Sequence, residues 1–361
     1  MKRPDQKVML PGQSPEGKPI LSVLVKRSYS IVPGKKCVRA EHDAKLHPAD
    51  VFHADPANSS VRYESDFVPF KLATDIVLNG TAYAPNDVDI EQINVELQVH
   101  GTRKRVTVIG DRVCHFRANA TPQFSDPQTF TRMELRYERA YGGVDIFSNP
   151  LVPFPYMRNP LGRGFAVANM RNAIQGLPLP NLEDDADLLT PERLCCEEFT
   201  AWEKQPMPAG LSWLPRSWLP RSTLAGVLPG DRAVEQELRK AYAQLVPAEH
   251  RKAYSQIHLP TMDFRFFSGA SLGLSLPFLN GDEGVRLTNL TPDSDCVFRL
   301  PGDTVTIGID IGKGVLVPKV YLQTVMIRAD DHELDLVWRA AAPYPGTDWF
   351  TKMTRMEVSI A

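Results

Sequence analysis

Residues 269–273 (GASLG) match the Gly-x-Ser-x-Gly pattern that serine hydrolases place on a sharp turn between a strand and a helix. An acidic pair and a histidine follow at 330–332, an order compatible with a serine–acid–histidine triad. The residues after Ser271 include Pro277 and several glycines, which do not predict the required helix. We therefore expect a glycine-rich loop in a chain that is not an enzyme, with hydrolysis by Ser271 as the alternative.

Histidines are concentrated at residues 41–55 (EHDAKLHPADVFHAD), where His42, His47 and His53 lie among several carboxylates. A zinc site needs three or four ligands fixed in a tetrahedron, and these spacings match neither a helical pair nor a zinc knuckle. Residues 329–335 (ADDHELD) are also rich in charge, but their place between two strands favours a solvated turn. Phosphate-binding and dinucleotide-binding motifs do not occur. The sequence therefore predicts no metal and no cofactor.

A five-residue unit is written twice in SWLPRSWLPRS, residues 212–222. Trp and Arg often carry the binding energy of protein interfaces, and proline stiffens the backbone between them. A uniform polyproline II conformation would turn the two tryptophans about 120° apart. We therefore expect one tryptophan to be buried and the other exposed, with Trp213, Arg216, Trp218 and Arg221 as the candidate partner-binding residues.

The chain has 361 residues, with 41 basic and 43 acidic side chains and a formal net charge of −2. Since there is no basic surplus, the composition predicts no nucleic-acid binding. We expect neither a signal peptide nor a membrane span, because no apolar run has the necessary length. Five cysteines without Cys-x-x-Cys spacing predict reduced thiols in a cytoplasmic protein, and a redox pair of Cys195 and Cys196 is the alternative.

Alternating and β-branched residues predict strands in the first part of the chain at 20–31, 75–84, 93–101, 104–113 and 130–140. Val95, Leu97 and Val99 alternate with polar residues, which is the period of a half-buried strand. Helical periodicity is confined to about 190–200 and 231–257, and strands resume after it. The pattern predicts a mainly β, β-rich α+β fold with antiparallel sandwich-like or barrel-like sheets.

Proline accounts for 31 of the 361 residues and is concentrated in the middle of the chain. A long stretch of Pro, Gly and Asn in a compact protein is typical of a segment that wraps a surface or carries function. We therefore expect an N-terminal antiparallel β domain at 1–140, a wrapping segment with short helices at 141–262 and a C-terminal antiparallel β region at 263–361. Packing of the two β regions into one unit is the alternative.

Several motifs follow one another in a fixed order: VRYESDFVPFKLATDIVLNGTAYAP (61–85), YERAYGG (137–143), NPLGRGF (159–165) and LPNLED (179–184). After the Trp-Leu-Pro-Arg segment come LAG (224–226), DFRFF (263–267), NGDE (280–283), FRLPG (298–302) and ELDLVWRA (333–340). In this order the chain resembles a bacterial family of uncharacterised domains, from about residue 15 to 342. The family is expected to have one Trp-Pro-Arg segment, whereas this chain has two.

The resemblance implies a role beside type VI secretion. By this resemblance, genes of the family are expected to lie next to the genes for the spike protein VgrG, for PAAR-tipped toxins and for pentapeptide-repeat proteins. Its members are understood as non-catalytic adaptors or chaperones that hold a secreted effector and help load it onto the VgrG/PAAR spike. A structural component of the secretion apparatus is a further alternative.

The motif residues are expected to maintain the fold, because glycine permits positive φ or close backbone approach and Asn-Pro pairs form turns. Glu138, Arg139, Arg163 and Glu183 are expected to form Arg–carboxylate pairs that hold the wrapping segment on the β core. The residues of this group are Tyr137, Glu138, Arg139, Gly142, Gly143, Asn159, Pro160, Gly162, Arg163, Gly164, Asn181 and Glu183. A partner surface formed by the same residues is the alternative.

Overall fold

The computed structural model describes residues 6–116, 122–146, 151–167, 174–196, 203–227, 260–310, 314–344 and 357–360. In chain order its strands are β1 (Gln6–Gln13), β2 (Pro19–Ser30), β3 (Val38–Arg39), β4 (Val51–Phe52), β5 (Val61–Tyr63), β6 (Thr74–Asn79), β7 (Thr81–Tyr83), β8 (Gln92–Val99), β9 (Thr102–Ile109), β10 (Cys114–Phe116), β11 (Pro122–Phe124), β12 (Arg132–Glu134), β13 (Tyr141–Gly142), β14 (Val144–Asp145), β15 (Phe154–Pro155), β16 (Arg163–Gly164), β17 (Ala166–Val167), β18 (Leu182–Glu183), β19 (Cys195–Cys196), β20 (Ser275–Leu276), β21 (Gly284–Thr288), β22 (Asp295–Arg299), β23 (Ile307–Asp310), β24 (Val315–Leu316), β25 (Val320–Arg328), β26 (Glu333–Pro343) and β27 (Glu357–Ile360). Short 3-10 turns lie at Pro85–Asp87, Tyr137–Arg139, Pro191–Arg193, Arg221–Leu224 and Phe264–Phe267. The prediction of a mainly β fold is confirmed.

The largest sheet has seven strands in the order β1-β2-β26-β25-β6-β20, with β3 paired to one end of β2. Its pairings are antiparallel except for β6 with β25, which is parallel. β2 pairs with β26 along its length, from Ile20 opposite Pro343 to Ser30 opposite Glu333. The centre of this sheet therefore joins an early strand to a strand from the far end of the chain.

The second large sheet has five antiparallel strands in the order β18-β9-β8-β21-β22. In β8 the side chains of Val95, Leu97 and Val99 are buried while the residues between them are partly exposed, which confirms the predicted alternation. A smaller sheet has the order β24-β23-β27. Within the described ranges none of these sheets closes into a barrel.

One hydrophobic core unites the two large sheets. Val23 and Val25 of β2 belong to the same buried cluster as Leu97 of β8, Val106 of β9 and Val285 of β21. Each large sheet also combines strands from the first 110 residues with strands from beyond residue 270. The two predicted β regions therefore share both sheets and one core.

The other face of the seven-stranded sheet is polar and is covered by residues 40–71. Lys26 of β2 forms an ion pair with Asp66, with the Nζ and Oδ2 atoms 3.2 Å apart. Asp335 of β26 accepts hydrogen bonds from Ser28 Oγ at 2.5 Å and from Arg328 Nη1 at 2.6 Å. Because both faces of β2 are buried, its side chains do not follow a simple apolar–polar alternation.

Two predicted elements differ in the structure. The strand expected at 130–140 is limited to β12, and a 3-10 turn at Tyr137–Arg139 follows it. That turn is favoured because the Asn159 side chain donates hydrogen bonds to the carbonyl oxygens of Tyr137 and Tyr141. In a continued strand these carbonyl oxygens would instead accept hydrogen bonds from a neighbouring strand.

The helix expected at about 190–200 is replaced, as far as Cys196, by a 3-10 turn and β19. Arg193 Nη1 donates to Asp187 Oδ1 and to the Leu188 carbonyl oxygen, which favours the tight turn. The second predicted helical segment, 231–257, lies outside the described residues. The described part of the chain contains no helix with the length and apolar character needed to cross a membrane.

Candidate functional site

Both tryptophans of the repeat are buried, each with a relative exposure of 5%. The expectation of one exposed tryptophan is therefore wrong. The backbone N–H of Trp218 donates to the Pro215 carbonyl oxygen at 3.1 Å, so the chain turns between the two units. This turn ends the uniform polyproline II conformation on which the expectation rested, and it directs both indole rings into the main core.

The two arginines of the repeat converge on one buried carboxylate. Arg221 Nη2 lies 2.5 Å from Glu64 Oε1, and Arg216 Nε lies 2.7 Å from the same oxygen. Arg221 is itself buried and donates to the carbonyl oxygens of Leu214 and Phe266. Burial raises the pKa of Glu64, and the charges of Arg221, Lys71 and Arg216 counter that rise. These arginines hold the repeat on the β core, with Arg216 the more exposed of the two.

A second buried ion pair lies beside the repeat. Lys71 Nζ is 2.6 Å from Asp75 Oδ2 and 5.2 Å from the centre of the Trp213 ring. Asp75 also accepts hydrogen bonds from the Gly269 backbone N–H and from Ser275 Oγ. The glycine-rich loop that contains Ser271 is thereby fixed to β6.

Ser271 is buried, and its hydroxyl group already forms hydrogen bonds within the fold. Its Oγ lies 2.6 Å from Tyr137 Oη and donates to the Ser212 carbonyl oxygen at 3.1 Å. Strand β20, rather than a helix, follows the loop. Among the described residues no histidine forms a hydrogen bond with Ser271, so the geometry there does not place a general base on this hydroxyl.

The YERAYGG and NPLGRGF motifs interlock through Asn159. Its Nδ2 donates to the Tyr137 carbonyl oxygen at 2.7 Å and to the Tyr141 carbonyl oxygen at 3.1 Å. A Cβ atom on Gly142 would stand 2.1 Å from the Asn159 carbonyl oxygen, and one on Gly162 would stand 2.5 Å from the Ala140 carbonyl oxygen. Glycine is therefore required where these two backbones cross.

The remaining motif glycines adopt positive φ angles, +113° at Gly143 and +93° at Gly164. Pro180 packs closely there, since its Cδ would lie 2.8 Å from a Cβ atom on Gly164. Pro160 sits directly after the buried Asn159, within the turn that brings this backbone back towards β13. The motif therefore has several positions that suit glycine alone.

The four charged motif residues that were expected to pair form no ion pairs with each other in the described part of the chain, although Arg163 Nε donates to the Glu138 carbonyl oxygen at 3.3 Å. Glu138 accepts hydrogen bonds from the backbone N–H and the hydroxyl of Ser60. Arg139 and Arg163 both donate to Asn181 Oδ1, at 3.3 and 3.1 Å. The expected ion pairs among Glu138, Arg139, Arg163 and Glu183 thus do not form. Arg139 and Arg163 are instead held in a network with Asn181 and the Asp111 carboxylate, whose Oδ1 lies 3.9 and 3.5 Å from their Nη1 atoms.

Asn181 and Glu183 connect the network to the five-stranded sheet. Asn181 Nδ2 donates to the Ile109 carbonyl oxygen at 2.9 Å, at the end of β9. Glu183 forms an ion pair with Arg112 and accepts the Leu189 backbone N–H at 2.6 Å. Burial raises the pKa of Glu183, and the charge of Arg112 counters that rise. The LPNLED motif therefore anchors the wrapping segment to the core.

The histidine-rich segment lies against the polar face of the seven-stranded sheet. The His47 ring stacks on Tyr63 with 4.8 Å between the ring centres. His53 lines a polar cleft of about 180 Å³, and burial together with the charge of Arg136 lowers its pKa to about 4. Asp330, from the charged turn after β25, accepts hydrogen bonds from Thr81 and Tyr83. In the described part of the chain, His, Cys, Asp and Glu side chains form no group suited to a metal ion.

Five exposed apolar side chains lie on or beside the hairpin of β14 and β15, and a second exposed apolar run is formed by Val315, Leu316 and Val317. Leu151 is 91% exposed and Val152 is 66% exposed. Val144, Ile146 and Met157 are also exposed, and we call these five residues the apolar hairpin. Sequence reasoning missed it, although a run of apolar residues between turn formers in FSNPLVPFP is a usable signal.

A cleft of about 230 Å³ adjoins the base of the apolar hairpin. Leu219 lines the cleft and donates its backbone N–H to the Met157 carbonyl oxygen at 2.9 Å. Arg158, the next residue, also lines the cleft. Tyr137 and Ser271 are buried residues of its lining, so the cleft joins the YERAYGG motif to the repeat.

The sequence analysis also missed Glu64, Lys71 and Asp75, which hold the repeat in place. A charged residue at the start of the apolar run DIVLN was the available signal for Asp75. Lys71 and Asp75 also lie four residues apart with opposite charges. Their pairing is buried between distant segments, and periodicity alone does not predict such a contact.

Neither a curated protein nor a solved structure matches the chain. One protein-family model does match it, over residues 16–339, and that family is described as an uncharacterized protein conserved in bacteria (DUF2169). The matched range contains the motifs discussed above, apart from the last residue of ELDLVWRA, and both large sheets apart from β1 and the end of β26. The chain therefore belongs to this family of uncharacterised bacterial proteins.

Proposed function

We propose that this protein is a non-catalytic adaptor or chaperone that binds a secreted type VI effector and helps load it onto the VgrG/PAAR spike. The observation that carries the proposal is the apolar hairpin. Large apolar side chains grouped on a surface typically mark a site of protein–protein interaction. The ordered motifs resemble a bacterial family of uncharacterised domains, and the role beside type VI secretion that this resemblance implies is the basis for the proposed partner.

The positions of the motif residues support the same proposal. Asn159, Asn181 and Glu183 are buried and bonded within the chain, which suits a scaffold role for the motifs. A rigid scaffold that presents a few exposed apolar anchors loses little entropy on binding. With a net charge of −2, long-range electrostatic steering contributes little, so apolar burial is expected to dominate the affinity.

The test compares two valines of nearly equal exposure, one on the apolar hairpin and one in the second exposed apolar run at 315–317. Val152 is 66% exposed on the apolar hairpin, and Val317 is 65% exposed between β24 and β25. The candidate effector is the product of a gene adjacent to the one for this chain. We expect Val152→Asp to weaken its capture by about tenfold or more, because a charge would be buried at the interface. Val317→Asp is expected to bind like the wild type.

Purified chain and purified effector are mixed, and the dissociation constant is measured by calorimetry at two salt concentrations. Both variants should melt within about 2–4 °C of the wild type, since each substitution is at the surface. Equal affinity of the two variants would contradict the role of the apolar hairpin. Failure of the wild-type chain to bind either the effector or the spike proteins would overturn the adaptor function itself.

A further inference from the structure

The cleft next to the apolar hairpin is lined by apolar side chains and by four charged residues that already have partners: Lys104, Arg158, Asp184 and Asp187. Lys104 Nζ lies 3.2 Å from Asp184 Oδ2, Arg193 Nη1 donates to Asp187 Oδ1 at 2.7 Å, and Arg158 Nη1 donates to the Glu203 carbonyl oxygen at 3.0 Å.

The floor of the cleft is polar at Tyr137 and Ser271. Its walls include Met207, Leu214, Leu219 and Leu272, and Leu272 is 45% exposed at the rim. A cavity of ~150 Å³ with apolar walls accommodates a benzene ring. The cleft of about 230 Å³ is larger than that and has room for a bicyclic aromatic ring.

Both hydroxyl protons at the floor are already donated. Ser271 Oγ donates to the Ser212 carbonyl oxygen, which can only accept. Since a serine has one hydroxyl proton, the 2.6 Å contact between Ser271 Oγ and Tyr137 Oη must use the tyrosine proton. Burial raises the pKa of Tyr137 to about 12, so this proton is retained at neutral pH. The two oxygens can therefore only accept hydrogen bonds from a molecule in the cleft.

The cleft and the apolar hairpin form neighbouring parts of one surface. Leu219 in the cleft wall is hydrogen-bonded to Met157 at the hairpin base. A partner that covers the hairpin would therefore have side chains within reach of the cleft. Since its charged residues already have partners, the cleft offers a ligand mainly apolar contacts and two acceptor oxygens, which favours a large, mostly apolar side chain with a single hydrogen-bond donor.

We propose that the cleft binds a tryptophan side chain of the protein partner, whose indole N–H donates to Tyr137 Oη or Ser271 Oγ. This inference rests on the proposed function, because it assigns the cleft to the same partner as the apolar hairpin. Tryptophan combines the largest apolar area of any side chain with one donor and no acceptor. Phenylalanine lacks the donor, and leucine lacks both the donor and the planar ring.

The test uses two small isosteric probes and the full-length protein. 3-Methylindole carries the N–H group, whereas 3-methylbenzothiophene has the same shape without a donor. Dissociation constants are measured by ligand-observed NMR. We expect 3-methylindole to bind about fivefold more tightly, which is the range for one neutral hydrogen bond. Equal affinities, or no binding by either probe, would overturn the proposal.

The double variant Tyr137→Phe/Ser271→Ala removes both acceptor oxygens from the floor. A change of Ser271 alone would not suffice, because Tyr137 Oη could still accept a hydrogen bond from the indole N–H. We expect the preference for 3-methylindole to fall below about twofold while 3-methylbenzothiophene keeps its affinity. An unchanged preference would exclude these oxygens as the acceptors. The comparison of probes on the wild-type chain decides the proposal even if this variant does not fold.

Competition separates this inference from the proposed function. Saturating 3-methylindole should weaken capture of the effector by the wild-type chain, and the isostere should do so at higher concentration. If 3-methylindole binds but leaves effector binding unchanged, the assignment to the partner is wrong while the adaptor function stands. If the effector does not bind at all, the probe measurements still decide whether the cleft accepts an indole.

Discussion

Trp213 and Trp218 have the same flanking residues and yet contact different parts of the molecule. Trp213 packs beside the Lys71–Asp75 pair, and its backbone bridges to Ala270. Trp218 meets the Tyr137 ring edge-on, with 5.5 Å between the ring centres. The repeated unit therefore joins the glycine-rich loop and the YERAYGG motif to one core.

We expect each single Trp→Ala variant at 213 and 218 to lower the free energy of unfolding by about 3–5 kcal/mol, as deletion of a buried aromatic ring does. Leu151→Ala, at a position 91% exposed, is the control and should change it by less than about 0.5 kcal/mol. Urea denaturation followed by fluorescence measures all three. A tryptophan variant that unfolds at the wild-type midpoint would contradict the burial described here.

His53 makes the stability depend on pH. Burial and then the charge of Arg136 lower the pKa of its imidazole to about 4, whereas an unfolded histidine titrates near ~6.5. Between these values the unfolded chain takes up a proton that the folded chain excludes, so stability falls as the pH falls through this window. We expect His53→Gln to lose less stability than the wild type between pH 7 and pH 5.

Denaturant midpoints of both proteins at pH 7, 6 and 5 measure this difference. Carboxylates that titrate at lower pH are present in both proteins and cancel in the comparison. Parallel curves for the two proteins would show that His53 is not protected from protonation in the folded chain.

At the scale of single residues, the sequence was a better guide to which residues are structurally important than to the atoms that they contact. Its motif glycines and Asn159 do lie where backbones cross. The prediction of an exposed tryptophan was wrong, because the turn at Trp218 depends on a backbone hydrogen bond that the composition does not reveal. Glu64 was not selected, since its partners Arg216 and Arg221 lie more than 150 residues away in the chain.

The wrapping segment is held on the β core by crossings of short elements rather than by long ladders. β18 adds only two residues to the five-stranded sheet, and within the wrapping segment β13 pairs with β16 over two residues only. Side-chain hydrogen bonds from Asn159 and Asn181 reinforce these short pairings. The segment is therefore expected to be more sensitive to a single methyl group at a crossing than to changes on its outer face.

Gly162→Ala tests this sensitivity. Its Cβ atom would lie 2.5 Å from the Ala140 carbonyl oxygen and 2.9 Å from Gly142 Cα, so the crossing must open. We expect a loss of at least about 1–3 kcal/mol, the usual cost of overpacking. Gly284→Ala is the control, because its Cβ atom would meet no atom within 4 Å.

The control should be neutral or slightly stabilising, by up to ~1 kcal/mol, since alanine restricts the unfolded chain. Thermal and urea unfolding compare the two variants with the wild type. Equal stability of Gly162→Ala and Gly284→Ala would mean that the crossing adjusts without cost.

Element prediction succeeded where one face of a strand meets water. β8 has buried and partly exposed residues in alternation, and the sequence shows that period. The sequence pattern was less informative for the segment at 130–140, where Asn159 favours a 3-10 turn over a continued strand. Local pattern does not report a side chain that arrives from elsewhere in the chain.

At the scale of the whole molecule, the strands of the first and last parts of the chain are interleaved. β6 pairs with β25, and β8 pairs with β21. Composition and charge restricted the class of protein, but they did not predict this topology. The order of strands in a sheet depends on contacts between residues that are distant in the chain. The linear division into three segments describes the sequence, whereas the sheets combine its two ends.

A fragment of residues 1–140 is therefore expected not to fold alone. It would leave β2 without β26 and β8 without β21, and it would expose the core faces of both sheets. Circular dichroism and amide-proton NMR of the fragment should show an unfolded or aggregated chain, and the full-length protein should unfold in one transition. A well-dispersed NMR spectrum of the fragment would contradict this expectation.

The pairing of β2 with β26 also has a consequence for biosynthesis. Ser28 and Asp335, hydrogen-bonded across this pair, are 307 positions apart. At ribosomal rates of ~5–20 residues per second, about 15–60 seconds pass between the synthesis of β2 and the synthesis of its partner β26. During that time an apolar strand with unpaired backbone groups is present in the cell, where premature association competes with folding. The nascent chain of this proposed chaperone is thus itself expected to need protection by general chaperones until β26 has left the ribosome.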